Sequence, residues 1–524
     1  MLDNLKALIV VLPIAMVIFI VAKPICLRFM AQDDFARRRD VWIGLTLAGF
    51  LSPSFWLYFL VAILLVTRSM RKETNPAALY IVLMNVIPPL VGAELPTIGI
   101  NALFKLDNFR ILAFVILLPV FWRLMHAKGE TAPFRLTLMD WLILAYTVLH
   151  LVLLMPYDSF TVTVRRSFLF GIDVLLLYFV VSRTCTSQRA IVEAMACYCL
   201  IFAVTVPIAV FEAARHWLLY AGIADQWGDP IQFAYVVRSG IVRAQVASGH
   251  ALNYGNNLAI AFGFWLYLRT RLPSAPGNTI AIWFWLGMIA AYSRGPWVAA
   301  AALFFVFLAL GPNGFARFSK ALLVSALLAA PVLLSPLGER VIDNLPFLGT
   351  VAEENVAYRI QVIQVSWEQI KENPFFGNAL VTSQLESLRQ GEGIIDLVNT
   401  YVVTALYYGL VGLGLYVGFF LLGMAKTYGE IRKAAATAPD LSLLGVSLLA
   451  CMFALLLVMG IGGFGGSVGK MFYVLAGFAF CYARLEPDEA LEGVPASRDV
   501  VRAPSKATGR VGQGAAIRRY RDRA

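Results

Sequence analysis

Long apolar segments alternate with short polar connections along most of the chain. Each has about the 20 residues, or slightly fewer, that a helix needs to cross a hydrocarbon core of ~30 Å. Segment 41–67 is too short for two full helices, and we expect a hairpin bent at Ser52–Pro53–Ser54, since neighbouring helices can satisfy the backbone at a proline. The other predicted membrane helices lie at 5–22, 77–95, 109–125, 138–155, 167–182, 190–212, 251–268, 279–293, 295–310, 318–335, 397–424, 441–460 and 464–484.

This pattern predicts an all-α polytopic membrane protein, a bundle of about 12–15 transmembrane helices. The orientation of this bundle in the membrane follows from the distribution of charged residues. The segment after Leu485 contains Pro and Gly and is rich in arginine, so we expect residues 486–524 to form a disordered basic tail in the cytoplasm. Counting helices back from this tail places the acidic segment 336–396 on the outer side, as one large loop of a transmembrane bundle spanning residues 1–485.

The composition agrees with a membrane protein. Of the 524 residues, 60% are hydrophobic and 14% charged, whereas soluble domains have about 45–50% apolar and about 25% charged residues. The net charge of +11 comes from Lys and Arg in short connections between helices, which indicates the positive-inside rule and not nucleic-acid binding. The six cysteines lie in or beside apolar segments without metal-ligand spacing, so we expect no metal and no cofactor.

The outer loop contains a predicted amphipathic helix. Its start and end are predicted at Asn355, a plausible N-cap, and at Asn373–Pro374. The pattern leaves two positions for this helix: over the mouth of the helix bundle or on the membrane surface. The apolar stripe consists of Val356, Ile360, Ile363, Trp367 and Ile370.

Several arginines lie on the outer side, where basic residues are normally scarce. A guanidinium stays charged and offers a planar fork of donors, which suits phosphate or pyrophosphate. The alternative is that these arginines snorkel or pair with acidic loop residues. They are Arg165, Arg166, Arg238, Arg243, Arg294, Arg340, Arg359 and Arg389.

His250 opens an apolar helix from the outer side, in a stretch of small and polar residues. A histidine in this place has a pKa suited to a general base near neutral pH. A purely structural hydrogen-bonding role is the alternative.

The order of these elements resembles the O-antigen ligase/polymerase superfamily. The resemblance covers residues 240–420. It rests on Arg243 to His250, Tyr292–Ser293–Arg294–Gly295–Pro296, Arg359 to Trp367, Pro374–Phe375–Phe376–Gly377, Val398–Asn399–Thr400–Tyr401–Val402 and Gly409–Leu410–Val411–Gly412–Leu413.

The resemblance implies a GT-C-like glycosyltransferase in the inner membrane of a bacterium. Such enzymes transfer an undecaprenyl-pyrophosphate-linked oligosaccharide on the periplasmic side without a metal ion. Membrane lipid, a flippase and a chain-length regulator are the further partners implied, and no nucleic acid. The implied pyrophosphate-binding residues are Arg238, Arg243, Arg294 and Arg359, and the implied catalytic residues are His250, Asp396, Asn399 and Tyr401.

One position departs from the family. Members often have a histidine immediately before the Asn of the Asn-x-Tyr motif, where this chain has Val398. Either another group serves as the base, with His250, Asp396 and Glu392 as the candidates, or departure of the leaving group dominates and the reaction needs little help from a base. Arg238 and Gly249 also have the spacing of an Arg-to-Gly pattern found in family polymerases.

Three functions fit the sequence. The first is a polymerase of exopolysaccharide or O-antigen repeat units, and the second is a ligase that moves a finished glycan onto lipid A-core or protein. The third is a transporter of a small solute or a lipid-linked sugar. A transporter would concentrate ionisable residues near the midplane of the membrane, whereas here most polar residues lie at the outer mouth.

Overall fold

The computed structural model describes residues 2–89, 91–95, 104–127, 136–228, 235–238, 240–335, 353–389, 395, 397, 399–462 and 466–485. All of them belong to one compact unit, residues 1–490. The predicted tail and parts of the predicted outer loop lie outside the described residues.

The described residues are almost entirely helical. In chain order the elements are α1 Leu2–Cys26, α2 Gln32–Leu51, α3 Phe55–Met70, α4 Pro76–Leu83, β1 Gly92–Glu94, β2 Lys105–Asp107, α5 Asn108–Leu112, a π-turn Ala113–Leu117, α6 Leu118–Met125, α7 Leu138–Leu154, α8 Phe160–Phe170, a π-turn Gly171–Leu176, α9 Leu177–Thr184, α10 Gln188–Arg215, α11 Ala221–Trp227, β3 Val237–Arg238, β4 Ile241–Val242, α12 Ala251–Leu268, α13 Ser274–Ala290, α14 Arg294–Leu310, α15 Gly314–Leu333, α16 Glu353–Glu372, α17 Thr400–Thr437, α18 Pro439–Ile461 and α19 Gly466–Tyr482. Short 3₁₀ turns lie at Val246–Ser248, Arg269–Arg271, Val381–Gln384 and Glu386–Leu388.

Within the described ranges, six helical segments are long and apolar enough to cross a membrane: Leu2–Cys26, Asn108–Met125, Gln188–Arg215, Gly314–Pro331, Thr400–Thr437 and Pro439–Ile461. Shorter apolar helices lie at Phe55–Met70, Leu138–Leu154, Gly277–Ala290 and Arg294–Leu310. These helices confirm an all-α polytopic membrane protein. The number of crossings and their orientation stay predictions.

The region before residue 110 shows one prediction confirmed and one wrong. The hairpin exists, because α2 ends at Leu51 and α3 begins at Phe55, with the Ser54 hydroxyl capping its first turn. The full helix predicted at 77–95 does not exist. Asn75 caps α4, which ends at Leu83 ahead of the Pro88–Pro89 pair, and Gly92 already belongs to a strand. Consecutive prolines remove two amide donors, so hydropathy alone overestimated this helix.

Helix α12 lies at the centre of the bundle and is buried along most of its length. It packs against α10, α13, α14, α18 and α19. A buried hydrogen-bond chain crosses the centre, since the Tyr198 hydroxyl donates to Asn257 Oδ1 at 2.8 Å and the Asn257 amide donates to Ser467 Oγ at 2.7 Å. These bonds join α10, α12 and α19.

Several helix ends meet at one end of the bundle, which we call the mouth. Leu252, at the start of α12, packs against Gly295 at the start of α14 and Gly462 just after α18. The Thr400 hydroxyl at the start of α17 donates to the Gly462 carbonyl at 3.3 Å.

The other ends of the same helices form the opposite end of the bundle. There the Gln188 amide at the start of α10 donates to the Tyr267 hydroxyl at 3.1 Å and to Asp440 at 2.5 Å.

Candidate functional site

The β3–β4 hairpin leads into a buried loop that carries Arg243 to the mouth. The Arg243 amide donates to the Val236 carbonyl at 3.0 Å, and the Ala244 amide donates to the Ala290 carbonyl at 3.1 Å. The Arg243 Nε also donates to the Ala291 carbonyl at 3.4 Å. Arg243 is therefore fixed against the end of α13.

The turn between α13 and α14 presents Arg294 next to this loop. Tyr292 adopts a left-handed conformation with φ of 44°, which lets the chain reverse within three residues. The Trp297 ring nitrogen of α14 donates to the Met288 carbonyl of α13 at 3.0 Å and closes the turn. Arg294 is the first residue of α14.

Four arginines from four elements gather at the mouth: Arg238 of β3, Arg243 of the following loop, Arg294 of α14 and Arg359 of α16. Partial burial lowers the pKa of Arg238, and the charges of Arg294 and Arg359 lower it further. Burial, with a smaller contribution from the charge of Arg238, lowers the pKa of Arg243 to about 10. The structure thus brings together all four residues implied to bind pyrophosphate.

Three of the four mouth arginines lack a carboxylate neighbour in the part of the chain that is described. No salt bridge there involves Arg238, Arg243 or Arg359, whereas Arg166 pairs with Asp158 at 2.7 Å and Arg389 pairs with Glu386 at 2.6 Å. The alternative of pairing with acidic loop residues therefore applies to Arg166 and Arg389. Concentrated positive charge is what an anion-binding site requires.

His250 is the N-cap of α12. Its exposed ring accepts a hydrogen bond at Nδ1 from the Leu252 amide, at 3.2 Å. A neutral imidazole whose Nδ1 accepts carries its proton on Nε2, and this tautomer has no free lone pair with which to act as a base. Capping and base catalysis by His250 therefore require different tautomers.

The residues of the Asn-x-Tyr motif also have visible structural contacts. Asn399 caps α17, because its side-chain oxygen accepts from the amides of Tyr401 at 3.0 Å and Val402 at 3.2 Å. The Tyr401 hydroxyl donates to the Leu456 carbonyl of α18 at 2.6 Å. Asp396, Glu392 and Val398 lie outside the described residues, so nothing is said of their positions.

The predicted amphipathic helix is α16, which begins at Glu353, two residues before the predicted cap. The buried face of α16 differs from the predicted apolar stripe. Ile360, Ile363 and Trp367 are exposed, and Ile370 is buried beside the unpredicted Val362. The charged Arg359 next to this face is exposed as well.

Sequence reasoning missed two features of the mouth. Glu212, fully buried at the end of α10, binds backbone amides of the Arg243 loop. The segment after α16 binds the backbone of α17 near Gly409, so two of the quoted motifs contact each other. A carboxylate in the last turn of an apolar helix was the one available signal for Glu212.

Comparison with known families gives one match. Residues 279–417, about a quarter of the chain, match the family model described as O-antigen ligase. The matched range includes Arg294, Arg359, Asn399 and Tyr401, while Arg238, Arg243 and His250 precede it. No curated protein matches the chain significantly.

Proposed function

We propose that this chain, which carries the domain of the O-antigen ligase/polymerase superfamily, is the polymerase of an exopolysaccharide or O-antigen. The family match supports a glycosyl-transferring membrane enzyme of this type. Its proposed donor is an undecaprenyl-pyrophosphate-linked repeat unit, its acceptor another such unit, and its active side the periplasmic side of the bacterial inner membrane. The observation that carries the proposal is the convergence of four arginines at one end of a membrane bundle.

The arginines suit the chemistry of the donor. The acceptor hydroxyl oxygen attacks the anomeric carbon, the bond from that carbon to the pyrophosphate oxygen breaks, and undecaprenyl pyrophosphate leaves with the bonding electrons. Negative charge grows on the leaving group during this step. Preorganised guanidinium groups stabilise that charge in the transition state.

The acceptor hydroxyl must lose a proton, and His250 is the proposed base because of its intrinsic pKa and its place at the mouth. For this role the ring must release the Leu252 amide, so that the proton moves to Nδ1 and Nε2 accepts.

Two substitutions separate the capping role of His250 from its proposed role as a base. In His250→Asn the side-chain oxygen preserves the cap, whereas His250→Ala removes both functions. A base role predicts strong loss of activity in both variants, and full activity in His250→Asn would eliminate it.

The decisive experiment supplies purified protein in lipid nanodiscs with short synthetic undecaprenyl-pyrophosphate repeat units as the sole substrate. A polymerase builds a ladder of longer lipid-linked products. A ligase produces no ladder and needs lipid A-core or a protein acceptor. A transporter leaves the substrate chemically unchanged, and either of these last results would contradict the proposal.

The proposed orientation has its own test. All six native cysteines are buried, so a membrane-impermeant maleimide should label an added cysteine at exposed Glu386 with little background. Glu386→Cys should be labelled in intact spheroplasts. An added cysteine at exposed Lys433 should react only after lysis, and the reverse pattern would overturn the periplasmic assignment.

A further inference from the structure

Helix α16 has two apolar faces. On one face, Val362, Ser366 and Ile370 are 2%, 1% and 8% exposed. This face belongs to a small core with Leu385, Leu388 and Leu406. The other face consists of Ile360, Ile363 and Trp367, which are 51%, 52% and 56% exposed. Packing in the protein core accounts for the first face of α16 but not for the exposed apolar face.

The turn after α16 continues the exposed face as far as α17. The Leu410 amide donates to the Pro374 carbonyl at 2.8 Å, the Val411 amide to the Phe375 carbonyl at 3.2 Å, and the Asn378 amide to the Leu406 carbonyl at 2.8 Å. Gly409 permits this docking, since its φ is 64° and a β-carbon there would collide with the Phe375 backbone. The backbone at Gly409 is non-helical, with ψ of −170°, so α17 consists of two helical segments joined by a kink at this residue.

The docked turn therefore contacts α17, a candidate membrane span, at its kink. Phe375 and Phe376 are 65% and 54% exposed there, next to the outward-facing Leu410 of α17. We propose that Ile360, Ile363, Trp367, Phe375 and Phe376, the α16 outer face, are immersed in acyl chains of the membrane leaflet at the mouth. Continuity with the lipid-facing surface of α17 selects lipid as the occupant, and contiguous large apolar side chains are unfavourable in water.

Immersion has a consequence for the substrate, which rests on the proposed function. Arg359 lies one residue before Ile360, at the boundary of this face. A helix lying in the leaflet holds that guanidinium at the level where the pyrophosphate of a lipid-linked donor resides. The donor then reaches Arg359 by lateral diffusion in the membrane.

Spin labels measure immersion without requiring activity, so this test is independent of the ladder assay. Full-length protein in nanodiscs would carry a single added cysteine at Ile363 or Trp367, with Gln361 and Glu368 as matched exposed polar controls on the same helix. Lipid immersion gives labels at 363 and 367 high collision rates with oxygen and low rates with a water-soluble nickel chelate. High nickel accessibility at 363 would place the face in water. Low accessibility to both probes would mean that protein covers it, and either result overturns the proposal.

A second, independent observation concerns Glu212. Its carboxylate is completely buried and accepts three backbone hydrogen bonds: Oε1 from Leu219 at 2.9 Å, and Oε2 from Gln245 and Val246 at 3.0 Å each. One side chain thus ties both ends of the segment between α10 and α12 to the end of α10.

The bonded loop is strained. Val246 adopts φ of 47°, a left-handed conformation that is unfavourable for a β-branched residue. Such a conformation persists where surrounding contacts hold it, and the Glu212 carboxylate holds the amides of Val246 and its predecessor. Two residues before Gln245 lies Arg243, whose guanidinium meets the end of α13.

We infer that Glu212 is a positioning residue that presets Arg243 for the pyrophosphate, a role that rests on the proposed function. The carboxylate touches no reacting atom and acts through the loop. A displacement of a binding group by ~1 Å can cost ~100-fold in rate, so loss of this carboxylate should reduce turnover more than substrate binding.

Three variants of the full chain test the inference: Glu212→Ala, Glu212→Gln and, as a control at an exposed position, Glu368→Gln. Hydrogen exchange should accelerate in a peptide covering 243–250 in Glu212→Ala, and less in Glu212→Gln, which keeps one acceptor oxygen. The kcat of polymerisation should fall by roughly 10–100-fold in Glu212→Ala, with an intermediate loss in Glu212→Gln and none in the control. Unchanged exchange in 243–250, or a change confined to KM, would overturn the role. If the ladder assay fails for the unmodified protein, the exchange data still report whether Glu212 holds the loop.

Discussion

The two ends of the bundle both contain buried or half-buried arginines, and the two sets differ in their partners. At the opposite end, Arg38 binds Glu73 at 2.5 Å and Glu193 at 2.8 Å, and Arg183 binds Asp140 at 2.8 Å. Arg271 likewise binds Asp440 at 2.5 Å.

At the mouth, Arg238, Arg243 and Arg359 have no carboxylate partner within the described residues. Arginine content therefore does not distinguish the two ends, whereas the ion pairs of Arg38, Arg183 and Arg271 do. Arg269, also at the opposite end, donates to Asn278 at 3.4 Å and forms no salt bridge with a described residue.

The largest effect is expected from breaking the opposite end. Arg38→Ala would leave Glu193 without a cation and Glu73 with Arg37 alone, and the loss of one partner of a buried ion pair typically destabilises a protein by about 3–5 kcal/mol. We expect little folded protein by fluorescence-detected size-exclusion chromatography and a strongly lowered melting temperature. A melting temperature equal to that of the wild type would show that this network is dispensable.

At the mouth the effect should fall on activity and not on folding. Arg359→Ala removes a transition-state charge contact, which typically costs about 100–1,000-fold in kcat. Arg359→Lys keeps the charge but loses the fork of donors, so activity should still fall strongly. The ladder assay and a melting curve together check this, and full product from both variants would remove Arg359 from the site.

A smaller, direct effect is expected from inorganic pyrophosphate. Since a ligand that binds only the folded state stabilises it, pyrophosphate should raise the melting temperature of the unmodified protein. The shift should shrink with added salt because the interaction is electrostatic, and it should disappear in Arg243→Ala. An equal shift in that variant would mean that the anion binds elsewhere.

The same shift should depend on pH in a defined direction. The pKa of Arg243 is lower in the folded protein than in the unfolded chain, so its charge opposes folding below about pH 10. Bound pyrophosphate offsets that cost. The thermal shift should therefore decrease as pH rises through about 10, where Arg243 loses its charge. A shift that instead grows above pH 10 would contradict the assigned site.

The smallest effect is expected for Arg389, which is on the same loop as the site but pairs with Glu386 on the surface. Exposed pairs of this kind contribute little. Arg389→Ala should leave both the melting temperature and the product ladder unchanged. A large loss of activity would show that pairing with a carboxylate does not exclude an arginine from the site.

Sequence could predict the features that depend on local pattern. Hydropathy gave the helices and the bend at Ser52–Pro53–Ser54, and the arginines that the predicted topology leaves on the outer side include the four at the mouth. Hydropathy failed at 77–95, because Pro88–Pro89 ends a segment that remains apolar. It also could not find Glu212, whose acceptor role depends on amides some thirty residues away that only the fold brings near. His250 was predicted at a helix start, but the hydrogen bond from the Leu252 amide to its Nδ1 depends on the orientation of the ring, which the sequence does not specify.

The docked turn at Gly409 carries a consequence for how the protein is made. A membrane helix normally satisfies its own amides, and an unsatisfied amide in hydrocarbon costs several kcal/mol. In α17 the amides of Leu410 and Val411 are paired with Pro374 and Phe375, residues that belong to the preceding loop. The helical segment after Gly409 therefore reaches its final state only when the turn after α16 has docked on it. That turn acts as an intramolecular assembly factor for the segment that follows it.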